Sequence, residues 1–271
     1  MNPKEHGFLR KMVSGIYSMT SIISLEPKVQ TVLDTLWERF DAFAENREPI
    51  NLSHWASYFT YDVVGTLCLG ESMGFVQEGR ERRRFIENTY SSFYWIANTG
   101  YLPGQKLITN RGMELLCRLS GLRITDNTKT FLQLSIGRII SRMKTRKAGD
   151  PHQDMLDHFL DMKGENGEPA TMPEILTEVG NPLVAGVDNT SVAIKAVVAP
   201  LLRDYSRYKR LRAELDEAAK DCGSDGQSSA TIAYLAIKNL PYLKACVKEG
   251  SRIHPSIVYQ LPREYPHKVW I

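Results

Sequence analysis

Apolar residues recur every three or four positions along most of this chain, the spacing of one face of an α-helix. Between Leu25 and Phe43 the stripe is Val29, Val32, Leu33, Leu36, Phe40 and Phe43. From Ser53 to Leu69, Trp55, Phe59, Val63 and Leu67 step by four, with Ser53 expected to cap the helix and Gly70 to stop it. Further helices are predicted over Glu81 to Ile96 and Ile108 to Leu119, around a Gly/Pro loop at Gly100 to Gly104, and over Asp126 to Lys147. Thr171-Met172-Pro173-Glu174 opens the longest apolar pattern with a hydroxyl cap, a proline and an acid, and the pattern runs to about Asp204. Pro182 and Pro200 inside it are each expected to kink or interrupt the helix, since proline lacks a backbone N–H. Strand signal comes only at the end, where Ile257-Val258-Tyr259 and Lys268-Val269-Trp270-Ile271 are expected to pair as a hairpin across Pro262 to His267. The fold class is mainly α with a short terminal β-hairpin.

Composition narrows the function. The 271 residues are 42% hydrophobic and 24% charged, which suits one large globular domain or two small ones. A net charge of +3, with one basic run at Arg80-Glu81-Arg82-Arg83-Arg84, argues against nucleic acid as a partner. Cys68, Cys117, Cys222 and Cys246 form no Cys-x-x-Cys pair, which suits reduced thiols rather than a disulfide scaffold or a zinc site. No two histidines are four apart, so a metal site on a helix is not expected. The best apolar run, Val192 to Leu202, contains Lys195 and Pro200 and falls short of a bilayer span, and the polar N-terminus has no signal-peptide core.

Candidate chemistry sits in two places. In Ala185-Gly186-Val187-Asp188-Asn189-Thr190, steps of three and four put Ala185, Gly186 and Asn189 on one side of the long helix. Two small residues there open a shallow groove, and glycine in a helix interior costs roughly 1 kcal/mol against alanine. A flat group lying against the backbone would justify that cost, with Asp188 as a proton source and Asn189 as a hydrogen-bonding amide beside it. The alternative is close helix packing over small residues with Asp188 solvated. The second place is Glu249-Gly250-Ser251-Arg252, where acid and base three apart can pair on a helix surface.

These two motifs, in this order, resemble the oxygen-binding helix and the Glu-x-x-Arg helix of cytochromes P450, the haem-thiolate monooxygenases. The second lies in Leu240-Pro241-Tyr242-Leu243 through Ile253-His254-Pro255, which is similar as a whole to the family's helix. Glu5-His6-Gly7-Phe8-Leu9-Arg10-Lys11 resembles the helix whose His and Arg meet a haem propionate, and Arg263 in Leu261-Pro262-Arg263 resembles a further propionate contact. Tyr17-Ser18-Met19 and the stretch from Trp55 to Phe75 resemble a fungal subgroup that includes pisatin demethylase. The resemblance covers nearly all of residues 1–271: a propionate-contact helix near 5–15, the oxygen-binding helix at about 173–204, the Glu-x-x-Arg helix at about 240–252, and the start of a sheet at 257–271. It implies haem b, contacted by His6, Arg10, Ala185, Gly186 and Arg263, with Glu249 and Arg252 in a structural role. It also implies a proton relay at Asp188, Asn189 and Thr190, electrons from NADPH-cytochrome P450 reductase, and insertion of one atom of O2 into a small lipophilic or secondary-metabolite substrate. Substrate choice would fall to Tyr94 to Leu122 together with Val184 and Val187.

Three departures from the family pattern stand out. Asn189 occupies the position of the family's relay threonine, and Thr190 follows about 100° further round the helix. An amide can hold a water there but cannot pass a proton as a hydroxyl does. No Phe-x-x-Gly-x-Arg-x-Cys-x-Gly loop is present, so the metal-ligating cysteine is expected to lie beyond Ile271, and all four cysteines read as buried apolar fillers. The family's N-terminal anchor and first sheet are absent, so the chain is read as truncated at both ends. The family lives on the cytosolic face of the endoplasmic reticulum; without an anchor this chain is expected to be cytoplasmic. Two other readings stay open: a non-catalytic remnant or helical interaction protein without thiolate-ligated haem, and an unrelated all-helical binding module.

Overall fold

A computed structural model of the chain describes residues 3–81, 85–87, 89–90, 94, 124–147, 151–164, 166–221 and 232–258. Among them the order is α1 (Pro3–Ser14), α2 (Met19–Ser24), α3 (Glu26–Asn46), α4 (Leu52–Leu69), α5 (Phe75–Glu78), α6 (Ile124–Thr145), α7 (Met155–Leu160), α8 (Met172–Arg203), α9 (Tyr205–Asp221), α10 (Tyr234–Ile237) and α11 (Pro241–Ile253). One isolated antiparallel bridge, Lys163 with Pro169, accompanies the helices among the described residues. The expected hairpin falls largely on 259–271, outside the described residues. The helices expected over 81–96 and 108–119 fall mostly outside them as well.

Local chemistry explains the helix limits. The side chain of Asn51, not Ser53, caps α4, because its Oδ1 accepts from the Ser53 N–H at 3.0 Å. Gly70 ends α4 in the left-handed region at φ 77°, where any Cβ would run into Arg142 and Asp154. Thr171 starts α8 in a reciprocal capping box, its N–H and hydroxyl both donating to Glu174 Oε2 at 2.7 Å. Pro182 and Pro200 do not interrupt α8, which runs unbroken for 32 residues. This long helix also corrects the membrane expectation, since by length and composition Met172–Arg203 is apolar enough to cross a bilayer. Here one stripe of it serves as core instead.

The core is built where α4 and α8 meet. Ile175, Val179 and Leu183 of α8 join Cys68 and Leu69 of α4, Ile139 of α6, and Leu156 and Phe159 of α7. A second cluster forms around Trp55, whose ring meets Phe40, Phe43 and Tyr58 edge-on at centroid distances of 5.5, 5.6 and 5.7 Å. Between the clusters, Tyr61, Phe75 and Val187 pack together. The buried Asp62 accepts from the N–H groups of Phe75 and Val76 at 3.1 and 2.8 Å and so fixes the start of α5.

Paired charges are buried between α6 and α7. Arg142 of α6 donates to Asp154 Oδ2 and Asp157 Oδ1, both at 2.8 Å, and both carboxylates are almost fully enclosed. Arg146 makes a two-pronged bond to Asp161 at 2.7 and 2.8 Å, which with His152 holds that carboxyl down at about 2. Beside it the rings of His152 and His158 stack at 3.9 Å. Burial, and then the neighbouring His152, push the His158 imidazole below its usual 6.5. The unfolded chain therefore binds a proton at His158 that the folded chain resists, and stability is lost as pH falls through about 6.5. We expect the urea midpoint to drop between neutral pH and pH 5.5, and the drop to shrink in His158→Phe.

Candidate functional site

The exposed side of α8 carries the predicted groove. Ala185 is exposed, and Gly186 and Asn189 are half-buried on the same side. A Cβ at Gly186 would meet nothing closer than Val64 Cγ2 at 3.8 Å, an ordinary contact. Among the described residues, packing against α4 therefore does not demand glycine here, and its cost of roughly 1 kcal/mol is not repaid by a close contact. Asn189 is fixed rather than free, since its Nδ2 donates to the Ala185 carbonyl at 2.7 Å. That bond orients the amide and leaves Oδ1 as an acceptor along the groove. Thr190 is exposed, turned away as its place in the helix requires.

Asp188 lies elsewhere. It is half-buried toward α4, in a polar patch formed with Ser57, Tyr90, Ser191 and Lys195. Burial raises its carboxyl above the usual range, while the Tyr90 hydroxyl and the Lys195 ammonium pull it back. Ser191, fully buried, donates to the Asp188 carbonyl at 3.0 Å, and Lys195 Nζ reaches Ser57 Oγ at 3.4 Å. Sequence reading put Asp188 beside the groove and missed this patch. The available signal was Lys195, seven residues on and so two turns along the same face. Val187 is likewise not a groove residue, being 1% exposed against Tyr61 and Phe75, whereas Val184 is 51% exposed.

The second motif lies on α11. Arg252 grips Glu249 with two bonds, Nε to Oε2 and Nη2 to Oε1, both 2.7 Å, and holds the Glu249 carboxyl below its usual range. The pair is exposed. The helix is set against α8 at Gly250, where a Cβ would stand 2.7 Å from Val197 Cγ2 and 3.1 Å from its Cα. Its start is capped from α9, because Glu214 accepts from the N–H groups of Tyr242 and Leu243 at 2.9 and 2.8 Å. Its trailing segment is tied to the groove, since Ser256 Oγ donates to the Asn189 carbonyl at 2.8 Å. No sequence pattern announced that link. A cleft of about 340 Å³ lies between α8, α9 and α11, lined by Ala196, Val197, Tyr242 and Cys246 among others.

The remaining candidates divide by what is described. Arg10 is exposed on α1, one turn after His6, whose side chain lies outside the described residues together with Arg263. Cys117 and Cys222 also lie outside them. Cys68 is buried with its thiol against the Met155 sulfur at 3.8 Å, and burial pushes it up to about 12. Burial and Glu214 raise the Cys246 thiol. The small-residue face of α8 therefore fits a flat group such as a porphyrin. Neither described cysteine lies on that face: Cys68 is packed against Met155, and Cys246 lines the cleft between α8, α9 and α11.

Comparison with known proteins follows the same outline. The family profile described as Cytochrome P450 matches residues 1–271. The chain is 30% identical over 265 residues to cytochrome P450 monooxygenase mpaDE of Penicillium brevicompactum, covering 96% of this chain and 30% of that protein. It is 31% identical over 276 residues to quiannulatic acid synthase of Emericella variicolor, covering 97% of this chain and 53% of that protein. Among solved structures, the haem domain of a cytochrome P450DA mutant superposes with a TM-score of 0.69 at 17% identity, over 91% of this chain and 49% of that one. The chain thus spans about half, or less, of the length of the relatives it matches.

Proposed function

Because the chain belongs to the cytochrome P450 family, we propose that it serves a haem-dependent monooxygenase of fungal secondary metabolism, acting on a small lipophilic substrate. The observation that carries this reading is the open face of Ala185, Gly186 and Asn189, whose glycine no packing contact among the described residues requires. When bound there, haem b would supply oxygen activation, with O2 as co-substrate and NADPH-cytochrome P450 reductase as electron source. Ala185 and Gly186 would give a flat wall, and Arg10, with His6 and Arg263, would meet the propionates. Asn189 Oδ1 would accept a hydrogen bond from a water or from a substrate hydroxyl, while Nδ2 gives one of its two hydrogens to the Ala185 carbonyl. An amide passes no proton onward, so a substrate bearing its own hydroxyl suits this site better than a bare hydrocarbon. Glu249 and Arg252 would act structurally. The closer affinity to the pisatin demethylase group, and residence at the cytosolic face of the endoplasmic reticulum, belong to the same proposal.

Haem titration into the 271-residue chain, followed by its Soret absorbance, tests this. We expect saturable binding that weakens at least ~10-fold, about 1.4 kcal/mol, in Ala185→Leu. Ala185 is exposed, so the larger side chain leaves the fold intact while filling the groove. Equal affinity in both proteins would remove the groove from the haem site. A second reading is a helical protein without thiolate-ligated haem: of the described cysteines, Cys68 is packed against Met155 and Cys246 lines the cleft beside α11, neither on the Asn189 face. It requires the carbon monoxide complex of any bound ferrous haem to lack the spectrum of thiolate ligation.

A further inference from the structure

The Asn189 face is tied to a part of the chain that the oxygenase reading does not use. Ser256, three residues past the end of α11, donates its hydroxyl proton to the Asn189 main-chain carbonyl at 2.8 Å. We propose that Ser256 is a positioning residue: it draws that carbonyl out of the helix ladder and so sets where the Asn189 amide stands over the groove. What the groove is for rests on the oxygenase reading; the tie and its effect on α8 do not.

The Asn189 carbonyl is a shared acceptor. Within α8 it also receives the Ala193 N–H, one turn further on. One turn earlier the Ala185 carbonyl is shared in the same way, between the Asn189 main-chain N–H and Asn189 Nδ2 at 2.7 Å. Two carbonyls a turn apart thus each accept an extra side-chain donor, and such donors tilt a carbonyl outward and bend a helix locally. The reach of Ser256 is built into its neighbours. Gly250 lets α11 sit against Val197, since a Cβ there would stand 2.7 Å from Val197 Cγ2. Pro255 disfavours a helical His254, which leaves α11 at φ −136° and ψ 80° while its N–H closes on the Gly250 carbonyl at 2.9 Å. The chain is thereby turned back toward Asn189, two turns or roughly 12 Å along α8 from Val197. So α11 and its exit hold α8 at two points, one steric and one hydrogen-bonded. Glu214 fixes the opposite end of α11, so loss of the Ser256 bond is felt at Asn189 rather than taken up by the helix. Ser256 is half-buried, which limits competition from water.

The test is the amide NMR spectrum of the full chain, with no haem added, in Ser256→Ala and Ser256→Thr. In Ser256→Ala the Asn189 carbonyl returns wholly to the Ala193 N–H. That amide proton is expected to move downfield and to exchange about 2- to 3-fold more slowly, part of the worth of one hydrogen bond. The side-chain amide signals of Asn189 are expected to move with it. A role confined to stability would do the reverse, speeding exchange along α8 and α11 together. Ser256→Thr keeps the hydroxyl and is expected to restore the wild-type spectrum. An Ala193 amide that stays unmoved in Ser256→Ala, or that Ser256→Thr does not restore, overturns the proposal. Haem titration then reads the hold on the groove: uptake is expected to weaken about 3-fold in Ser256→Ala and to match wild type in Ser256→Thr. Equal uptake in all three would overturn the claim that the tie shapes the groove. A wild-type chain that takes up no haem bears on the oxygenase reading alone, since the amide spectrum needs none.

Discussion

Asp154→Ala is expected to lower the unfolding free energy by about 3–5 kcal/mol, the cost of removing one partner from a buried ion pair. The aspartate side chain is fully buried and does three things at once. Its Oδ2 accepts from Arg142 at 2.8 Å, its Oδ1 caps α7 through the Asp157 N–H at 3.2 Å, and Lys28 of α3 approaches it at 3.9 Å. Without it, Arg142 keeps only Asp157, and the first turn of α7 loses its cap. Leu156 and Phe159, both fully buried, are then carried on an unanchored single turn. Chemical denaturation followed by circular dichroism checks the value. A loss under 1 kcal/mol would mean that water fills the gap and that the network is not a fastener. Asp154→Asn should lose less, because the amide oxygen still caps α7, although its Nδ2 then meets Arg142 Nη2 donor to donor and that ion pair is lost.

Gly250→Val is expected to cost about 3 kcal/mol, at the upper end of the overpacking range. Helix propensity alone argues the other way, by a few tenths of a kcal/mol in favour of valine. Sterics win because the obstacle is main chain: a Cβ would stand 3.1 Å from Val197 Cα and 3.2 Å from the Ala196 carbonyl carbon. A rotamer change relieves the 2.7 Å clash with Val197 Cγ2 but not these. The helices must separate, which also stretches the Ser256 bond to Asn189. Hydrogen exchange in α11 should therefore rise more than in α4, and unchanged protection of α11 would contradict this account.

The helical spacing made most of the fold legible. The stripe through Val32 and Leu36 and the apolar face from Ile175 to Leu183 are buried in the core, whereas of the α4 stripe only Trp55 is fully buried and Phe59, Val63 and Leu67 are half-buried. Thr171 to Glu174 and Gly70 marked helix ends because caps are local chemistry, readable from a few adjacent residues. What adjacent residues do not settle was lost. Asn51 displaced Ser53 as a cap because the two compete for the same turn and spacing does not say which side chain bends back. Pro182 and Pro200 break local rules, but the contacts of α8 with α4 and α11 outweigh two missing hydrogen bonds. At the candidate site, the positions of Ala185, Gly186 and Asn189 followed from periodicity. The direction taken by Asp188 did not, since it depends on Tyr90, which lies far away in sequence. Ser256 was invisible for the same reason.

The unbroken run of α8 has one more consequence. Its 32 residues span roughly 48 Å and bring the capping box, the core stripe, the Asn189 face and the Gly250 contact onto one rigid shaft. Such a shaft has phase as well as length. One residue inserted near Pro182 would turn everything downstream by about 100°, aiming Asp188 at solvent and Val197 away from Gly250. Four inserted residues would nearly restore the angle, being about 40° past a full turn, but would displace α11 from its seat by about 6 Å. This stretch of the gene can therefore drift by substitution yet scarcely at all by insertion or deletion, whereas the loops that join the shorter helices are free to change length.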